Sequence, residues 1–377
     1  MAEFDLIDLI AQRCAVVRND VRLGIGDDAA VVAMPADQEL VVCTDTLVAG
    51  VHFPMTTAAA DIGWKSLAVN LSDLAAMGAT PAWALLALTL PEADVDFVAA
   101  FAEGFGTLAA IHHVALIGGD TTSGPLSITV TVHGFVPPGM ALRREGARAG
   151  DGVYVTGTLG DAAAGLRCLA NGSSVDADIR ALLVARLDRP EPRIAAGAVL
   201  RGRASACIDV SDGLVADLGH VARRSGVAID IEATHLPTST ALLAGFDGES
   251  RLALQLGGGD DYELAFTANE ADEPALLLDL ARAGCAATRI GRVREGSGVR
   301  VHDGEGRSIT PPRVGWEHFA LDSTPRSVAS CSRIQPAGSP ADSARVSVHS
   351  RRARPVRPWP SSRGSCCAIF PRRCGWR

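Results

Sequence analysis

Apolar residues recur with two different periods over residues 1–136. Helical spacing predicts a short helix within residues 5–22, followed by a linker, and two longer helices. Short apolar runs and one alternating run predict strands between and after these helices. The longer helices are predicted over Asp61–Met77 and Val95–Ile111, and the strands over Glu39–Thr44, Trp83–Leu90, Val114–Ile117 and Leu126–Val136. This half is therefore predicted to be α+β, with loops after its strands.

A change in composition divides the chain after residue 136. Residues 137–152 are rich in Pro, Gly and Arg, which predicts a domain boundary. Further strands are predicted over Val153–Thr156, Ala206–Val210, Val227–Glu232, Tyr262–Thr267 and Thr288–Val293, and helices over a segment ending at Leu169, Ala177–Leu187, Ile194–Arg201, Leu214–Ser225 and Glu273–Gly284. The pattern predicts two mixed α/β domains, residues 1–136 and 150–321.

The segment 322–377 has a different composition. It is rich in Ser, Arg and Pro without periodicity, which predicts a disordered tail. From Pro325 onward it holds eleven Arg and one acidic residue, and we hypothesise that it is coding sequence read in another frame. The preceding residues carry a net charge of −18, so bulk charge argues against nucleic-acid binding.

Composition narrows the class of protein further. With 377 residues and 47% apolar content, the chain can form two or three domains with sizeable cores. No apolar run approaches the ~20 residues of a membrane span, and the acidic N-terminus is unlike a signal peptide. Nine scattered cysteines without a CxxC pair predict buried thiols in a reducing cytosol. The cluster Arg186, Arg189 and Arg193 is predicted to be a solvated face with ion pairs.

Aspartates beside small or hydroxyl residues recur at the ends of apolar runs. The first pair, Asp27 and Asp28, lies in Gly-Ile-Gly-Asp-Asp-Ala-Ala, and adjacent carboxylates need a counter-charge or full solvation. Hard oxygen ligands suit Mg²⁺, which keeps several waters and bridges a few carboxylates to substrate phosphates. The other aspartates of this kind are Asp45, Asp73, Asp120, Asp209, Asp212, Asp260 and Asp261. Together they predict a magnesium-dependent site for phosphorylated ligands.

Asp73 carries a local signal for a site, and taken alone it also fits a solvated helix residue. It shares a helix face with Ser66 and Asn70, and it lies near the helix C-terminus, where the dipole disfavours a carboxylate. A nearby cation would remove that conflict. Taken singly, several candidates also fit structural roles: an acidic turn at Asp27–Asp28, a tight turn at Gly118–Gly119, a structural histidine at His52 and a core anchor at Trp316.

The ordered set of motifs over about residues 1–321 resembles the thiamine-monophosphate kinase family. The motifs are Gly-Ile-Gly-Asp-Asp-Ala-Ala (24–30), Thr-Asp-Thr-Leu-Val-Ala-Gly-Val-His-Phe (44–53), Lys-Ser-Leu-Ala-Val-Asn-Leu-Ser-Asp-Leu-Ala-Ala-Met-Gly-Ala (65–79), Leu-Ile-Gly-Gly-Asp-Thr-Thr (116–122), Ile-Asp-Val-Ser-Asp-Gly-Leu (208–214), Asp-Asp-Tyr-Glu-Leu (260–264) and Gly-Trp-Glu-His-Phe (315–319). The resemblance implies a fold like that of aminoimidazole-ribonucleotide synthetase. In that fold two α/β domains pair as a homodimer, and the N-terminal strands form a barrel across the interface.

The same resemblance implies an activity and a location. A cytoplasmic kinase would use ATP to phosphorylate thiamine monophosphate, giving thiamine diphosphate in the last step of its biosynthesis. Several Mg²⁺ ions would serve each site, and no covalent nucleophile or phosphoenzyme is expected.

Site residues follow from the resemblance position by position. The metal ligands implied are Asp28, the Cys43 carbonyl, Thr44, Asp45, Asp73, Asp120, Asp209 and Asp212. Gly119, Asp120, Arg144 and Ser211 match nucleotide contacts, and His52, Asp260 and Trp316 match contacts to the thiamine substrate. The sequence departs from the family at Asp260, where Glu is usual.

Phosphoryl transfer between two polyanions is mainly a problem of charge. The chain has no phosphate-binding Gly-x-x-x-x-Gly-Lys-[Ser/Thr] loop, and Lys65 lies within a predicted helix, so Arg144 is the best-placed cation. Metals must then supply most of the neutralisation. Two alternatives stay open: another synthetase of the same fold, for aminoimidazole ribonucleotide or selenophosphate, for which Cys14 is an unconvincing nucleophile, and a non-catalytic nucleotide- or thiamine-binding protein.

Overall fold

The computed structural model describes residues 3–170, 174–312 and 314–316. These residues belong to one compact unit, Met1–Ala320. The predictions of a disordered tail and of a changed reading frame concern residues 322–377, which lie outside the described residues. No helix within the described ranges has the length and apolar character needed to cross a bilayer.

The first half builds a four-stranded sheet covered on one face by helices. Its elements are α1 (Glu3–Arg13), β1 (Val21–Leu23), β2 (Val31–Val32), β3 (Glu39–Val48), α2 (Ala59–Ala76), β4 (Thr80–Leu90), α3 (Val95–Ile111), β5 (Ala115–Ser123) and β6 (Ser127–Val136). The strand order is β3-β6-β4-β5, and β1 and β2 form a separate antiparallel pair. The pairs β3–β6 and β4–β6 are antiparallel, while β4 and β5, joined through α3, are parallel.

Helix α2 is the element that connects the two halves. It packs on α3, β3 and β6 in the first half and on α6 (Ile194–Leu200) and β8 (Ala204–Asp209) in the second. Two glycines allow α2 and α3 to cross closely. A Cβ at Gly63 would lie 2.0 Å from the Phe101 carbonyl oxygen, and a Cβ at Gly104 would lie 1.8 Å from the Ala60 carbonyl oxygen. The apolar residues of α2 are therefore buried on several sides.

The second half contains a seven-stranded sheet in the order β13-β12-β9-β11-β7-β10-β8. All its pairs are antiparallel except the parallel pair β12–β9. Besides α6 and β8, its elements are β7 (Gly152–Thr156), α4 (Asp161–Leu169), α5 (Ala177–Asp188), α7 (Leu214–Ser225), β9 (Ala228–Glu232), α8 (Thr240–Gly245), α9 (Gly248–Gly257), β10 (Leu264–Ala268), α10 (Glu273–Arg282), β11 (Ala287–Arg294), β12 (Gly298–His302) and β13 (Ser308–Ile309).

The prediction for the arginine cluster is confirmed for its ion pairs but is wrong for the solvation of two of its three members. Arg186 and Arg193 do not form a solvated face, because both donate to the Glu263 carboxylate, which is 0% exposed. Arg189 instead pairs with Asp61 at 2.5 Å and lies over the Trp64 ring. The expectation of buried thiols is confirmed for four cysteines of the described residues, while Cys43 is half-buried.

Candidate active site

Three carboxylates from distant parts of the sequence form an acid cluster. Asp45 lies on β3, Asp73 in the last turns of α2, and Asp209 at the end of β8. Burial raises the pKa of all three carboxyls, and the charges of Asp209 and Asp45 raise the pKa of Asp73 further. Three partly or fully buried carboxylates therefore share one region and repel one another.

Uncharged side chains of α2 hold this cluster in place. The Asn70 Oδ1 atom accepts the backbone N–H of Asp45 at 3.0 Å, and the Cys43 thiol donates to the Asn70 carbonyl at 3.4 Å. Two residues after Asn70, the Ser72 hydroxyl donates to Asp209 Oδ2 at 2.8 Å. On the helix face predicted from Ser66, Asn70 and Asp73, Asn70 is therefore the residue that positions the backbone of Asp45. The link from Ser72 to Asp209 was not predicted, since it spans 137 residues.

A cavity of about 510 Å³ opens beside Asp73. The Arg144 charge lowers the pKa of both Asp73 and Asp209, opposing the effect of burial. The cavity therefore combines acids with cationic side chains, as a site for a metal-bound polyphosphate requires. Its lining residues are Val41, Val42, Cys43, Asp73, Met77, Arg143, Arg144, Glu145 and Arg224.

The loop after β8 brings together three further candidates. The Asp217 Oδ2 atom, in the first turn of α7, accepts the backbone N–H groups of Ser211, Asp212 and Gly213 at 3.1 Å each. Burial, followed by the charges of Asp209 and Asp212, raises the pKa of Asp217 to about 7. The backbone N–H of Trp316 donates to the Asp212 carbonyl at 3.0 Å. Ser211, Asp212 and Trp316 are therefore neighbours, and Asp217 is an organising residue that the sequence did not reveal.

Asp260 is the candidate substrate contact that lies beside the acid cluster. Its two oxygens accept from Tyr262 Oη at 3.0 Å and from Lys65 Nζ at 3.3 Å. Burial raises the pKa of the Tyr262 hydroxyl, and the charges of Asp260, Asp209 and Asp45 raise it further, which places this loop next to the acids. His52 lies in the turn after β3, where its Nδ1 accepts the N–H of Val48 at 2.9 Å.

The remaining candidates lie on the opposite face of the N-terminal sheet or on the separate β1–β2 pair. Thr46 aligns with Thr129, Ala87 and Asp120 across the four strands, so Asp120 is on the far strand, about 14 Å from the β3 edge by three strand spacings. This row of residues and the neighbouring Thr44 lie on the face of the sheet opposite to α2. Asp45 lies on the other face, toward α2. Asp28 is exposed in the turn between β1 and β2. Within one chain, neither Asp28 nor Asp120 therefore belongs to the acid cluster of Asp45, Asp73 and Asp209.

Gly119 has a steric reason to be glycine. A Cβ at this position would lie 1.8 Å from the Leu86 carbonyl oxygen on β4, just beyond the register shift at Ala84–Leu85. Only a residue without a side chain lets β5 approach β4 so closely. The glycine pair thus sets the course of the strand that carries Asp120.

The donors of the acid cluster suit a divalent cation. Within the described ranges, no three His, Cys, Asp or Glu side chains form a complete ion site by themselves. Mg²⁺ does not need one, because one or two carboxylates, several waters and substrate phosphates complete its shell. Mutual repulsion among Asp45, Asp73 and Asp209 is the conflict that a bound cation relieves.

Comparison with known proteins gives consistent matches over the described halves. The pattern of "AIR synthase related protein, N-terminal domain" matches residues 26–136, and that of the C-terminal domain matches residues 148–304. Thiamine-monophosphate kinase of Escherichia coli is 47% identical over 319 residues, which cover 84% of this chain and 98% of that protein.

Solved structures agree with these matches. A crystal structure of thiamine-monophosphate kinase from Stenotrophomonas maltophilia has 51% identity and a TM-score of 0.75, covering 82% of this chain and 98% of that one. The complex described as "AaThiL complexed with AMPPCP and TMP" has 35% identity and a TM-score of 0.66, covering 84% and 97%. The similarity therefore extends over nearly the full length of each relative.

Proposed function

This chain belongs to the thiamine-monophosphate kinase family, and we infer that it transfers a phosphoryl group from ATP to the phosphate of thiamine monophosphate. The product is thiamine diphosphate, and the enzyme is an ATP-dependent kinase of thiamine biosynthesis. The observation that carries this function is the acid cluster of Asp45, Asp73 and Asp209 beside a cavity that Arg144 also lines.

Charge determines the role of each group at this cavity. Two phosphorylated ligands must meet in line, and little covalent chemistry is required of the protein. Asp45, Asp73 and Asp209 would hold Mg²⁺, which when bound neutralises phosphate charge and acts as a Lewis acid. The Arg144 guanidinium binds nucleotide phosphate, while the loop of Ser211 and Asp212, fixed by Asp217, orients it. No covalent nucleophile is needed.

The thiamine moiety occupies the side of the site where Asp260 lies. The thiazolium ring of the substrate is cationic and its aminopyrimidine is a hydrogen-bond donor, so a fixed carboxylate suits both. His52 and Trp316 complete the proposed substrate contacts. Asp260 is one methylene shorter than the Glu usual in the family, and the bonds from Lys65 and Tyr262 fix its position.

We propose that the enzyme acts as a homodimer. The outward face of the N-terminal sheet includes the exposed apolar side chains of Leu40 and Val42. Pairing of two such sheets into a barrel would cover this face and bring Asp28, Thr44 and Asp120 of one copy toward the acid cluster of the other copy. The position of Thr44 and Asp120 on the outward face, away from the acid cluster of the same chain, supports this arrangement. The domains proposed are residues 1–136 and 150–321, and the location proposed is the cytoplasm.

Direct measurement of thiamine diphosphate tests the proposed function. The purified full chain is incubated with thiamine monophosphate and Mg-ATP, and the product is quantified by chromatography beside ADP. We expect Asp45→Asn to lose about a hundredfold or more of kcat/KM, since it removes a charge from the metal-binding cluster. Asp279→Asn, an exposed carboxylate of α10, is the matched control and should keep wild-type activity.

Three outcomes would contradict the proposal. The first is ATP hydrolysis or ligand binding without thiamine diphosphate, which would favour a non-catalytic binding protein. The second is product formation with aminoimidazole or selenide substrates instead, which would favour another synthetase of this fold. The third is full turnover in excess EDTA, which would refute the role of Mg²⁺.

A further inference from the structure

Lys65 is the sole lysine of the sequence, which has 35 Lys and Arg residues in total. It lies in the middle of α2, and its side chain is only 2% exposed. Lysine almost never becomes fully buried unless its ammonium group is paired, because removal of the charge from water is costly. A chain that uses arginine everywhere else therefore keeps its single lysine at a position where the charge needs a specific partner.

That partner is the carboxylate of Asp260, 195 residues away in sequence. The Lys65 Nζ atom lies 3.3 Å from Asp260 Oδ2, and the Tyr262 hydroxyl donates to Oδ1 at 3.0 Å. Both oxygens of Asp260 are thus engaged, yet a third of its side chain remains exposed. Each carboxylate oxygen has a further lone pair for a ligand.

The backbone around Asp260 is held in a conformation that side chains disfavour. Asp260 has a φ of 62° and Tyr262 a φ of 50°, both in the left-handed region. Backbone hydrogen bonds from Asp260 to Ser211 and from Tyr262 to Val210, each 2.8 Å, fix this turn against the loop after β8. Such strained residues persist only where the surroundings fix them, and they are concentrated at ligand sites.

We propose that Lys65 is a positioning residue that presents Asp260 to the thiamine moiety of the substrate, an inference that rests on the proposed function. The ammonium group fixes one oxygen of Asp260, while the Tyr262 hydroxyl fixes the other. The exposed part of the carboxylate then faces the substrate in one orientation. Because Asp260 has one methylene fewer than glutamate, it reaches the substrate only if its direction is set in this way.

Lysine suits this role better than arginine. Its ammonium group is compact and can approach a carboxylate from within a packed helix, whereas a planar guanidinium needs room for a fork of five donors. Lys65 also lies near Asp188: burial and the charge of Asp61 raise the pKa of that carboxyl, and the Lys65 charge opposes the rise. The lysine therefore joins α2 electrostatically to the C-terminal end of α5 as well as to the substrate loop.

A steady-state kinetic comparison tests the role of Lys65 in substrate binding. Methionine has a similar length and good helix propensity, so Lys65→Met removes the charge with little change in volume. We expect KM for thiamine monophosphate to rise at least about tenfold, with a change in KM for Mg-ATP of less than about twofold, since only the substrate loop loses a charged hydrogen bond.

The double variant Lys65→Met/Asp260→Asn separates positioning from plain stabilisation. Because the double variant has no unpaired carboxylate at position 260, it should recover the melting temperature that Lys65→Met loses. The KM for thiamine monophosphate should nevertheless stay high. An unchanged KM in Lys65→Met would overturn the inference, and so would full recovery of KM in the double variant.

The single lysine also permits a measurement on the unmodified chain. Growth with ¹³C-lysine labels one residue, so the ε-methylene group gives one NMR signal that reports on the Lys65–Asp260 pair. Thiamine monophosphate without ATP should shift this signal saturably, and Mg-ATP alone should leave it in place. A signal that does not move with thiamine monophosphate overturns the inference, even if Lys65→Met fails to fold.

Failure of the inference differs from failure of the proposed function. If the wild-type chain makes thiamine diphosphate but its lysine signal stays unmoved, only the role of Lys65 is wrong. If the wild-type chain neither binds thiamine monophosphate nor makes the diphosphate, the proposed function fails and the inference falls with it.

Discussion

Replacement of Glu263 by glutamine should destabilise the fold far more than replacement of an exposed glutamate. The Glu263 carboxylate is fully buried and accepts from Thr156 Oγ1 at 2.7 Å, from Arg193 at 2.6 and 2.7 Å and from Arg186 at 2.8 Å. Glutamine keeps the shape but offers one acceptor oxygen and no charge, so Arg186 and Arg193 lose the counter-charge that they share, and Arg193 keeps only Glu191. Breaking a buried ion pair in this way costs about 3–5 kcal/mol.

Differential scanning calorimetry provides the assay. For a chain of this size, about 1 kcal/mol corresponds to roughly 2 °C, so Glu263→Gln should lower the melting temperature by roughly 6–10 °C. Glu305→Gln is the matched control, because Glu305 and its partner Arg307 are 72% and 71% exposed. That surface pair should contribute less than about 1 kcal/mol to the free energy of unfolding, so Glu305→Gln should lower the melting temperature by less than about 2 °C.

Equal shifts for the two variants would refute the reasoning. Such a result would mean that water or rearranged side chains replace the lost carboxylate at no cost. A melting temperature that rises in Glu263→Gln would refute it as well, because it would show that desolvation of Glu263 outweighs its pairing in the native protein.

Three further predictions concern the acid cluster, the loop after β8 and the N-terminal sheet. Because burial and mutual repulsion raise the pKa of Asp73, its contribution to stability is full below the unfolded pKa and lost as pH rises through the raised folded value. In EDTA, Asp73→Asn should therefore melt higher than wild type by a margin that grows between about pH 5 and about pH 8 in thermal-shift scans, and a constant margin would contradict this. Asp217→Ala leaves three backbone N–H groups without their acceptor. In steady-state kinetics, KM for Mg-ATP should therefore rise at least about tenfold, and more than KM for thiamine monophosphate. An equal rise in both KM values would argue against a nucleotide-specific role. Gly119→Ala should lower the free energy of unfolding, measured by calorimetry, by about 1–3 kcal/mol, because the new Cβ overlaps the Leu86 carbonyl. Gly219→Ala in α7 has open space around its Cβ and should be neutral or stabilising. Equal effects of the two substitutions would contradict the steric argument.

Local pattern was sufficient to predict most regular elements. The predicted helices Asp61–Met77 and Val95–Ile111 correspond to α2 and α3, because long apolar stripes at helical spacing leave little ambiguity. Short or polar elements were missed: α8, α9, β12 and β13 have no long apolar period. The strand predicted over Glu39–Thr44 continues to Val48, since pairing with β6 along its whole length overrides the polar Thr-Asp-Thr sequence.

Long-range pairing explains what the sequence did not reveal at the site. Asp45, Asp73 and Asp209 could be identified as a set through family motifs, but their grouping depends on the packing of α2 between two sheets. Nothing near Glu263 in sequence indicates its hydrogen bond with Thr156, 107 residues away. Lys65 was identified only as a lysine within a helix, because the partner that gives it a role lies on the other half of the chain.

The central position of α2 limits how this chain can change in length. Four side chains of this helix reach different partners: Lys65 contacts Asp260, Asn70 contacts β3, Ser72 contacts Asp209, and Asp73 lines the cavity. An insertion or deletion of one residue within the helix would rotate everything beyond it by about 100° and shift it by about 1.5 Å. All contacts on one side of the change would then be lost together. Variation in length should therefore be tolerated only outside Ala59–Ala76, in the surface loops between other elements.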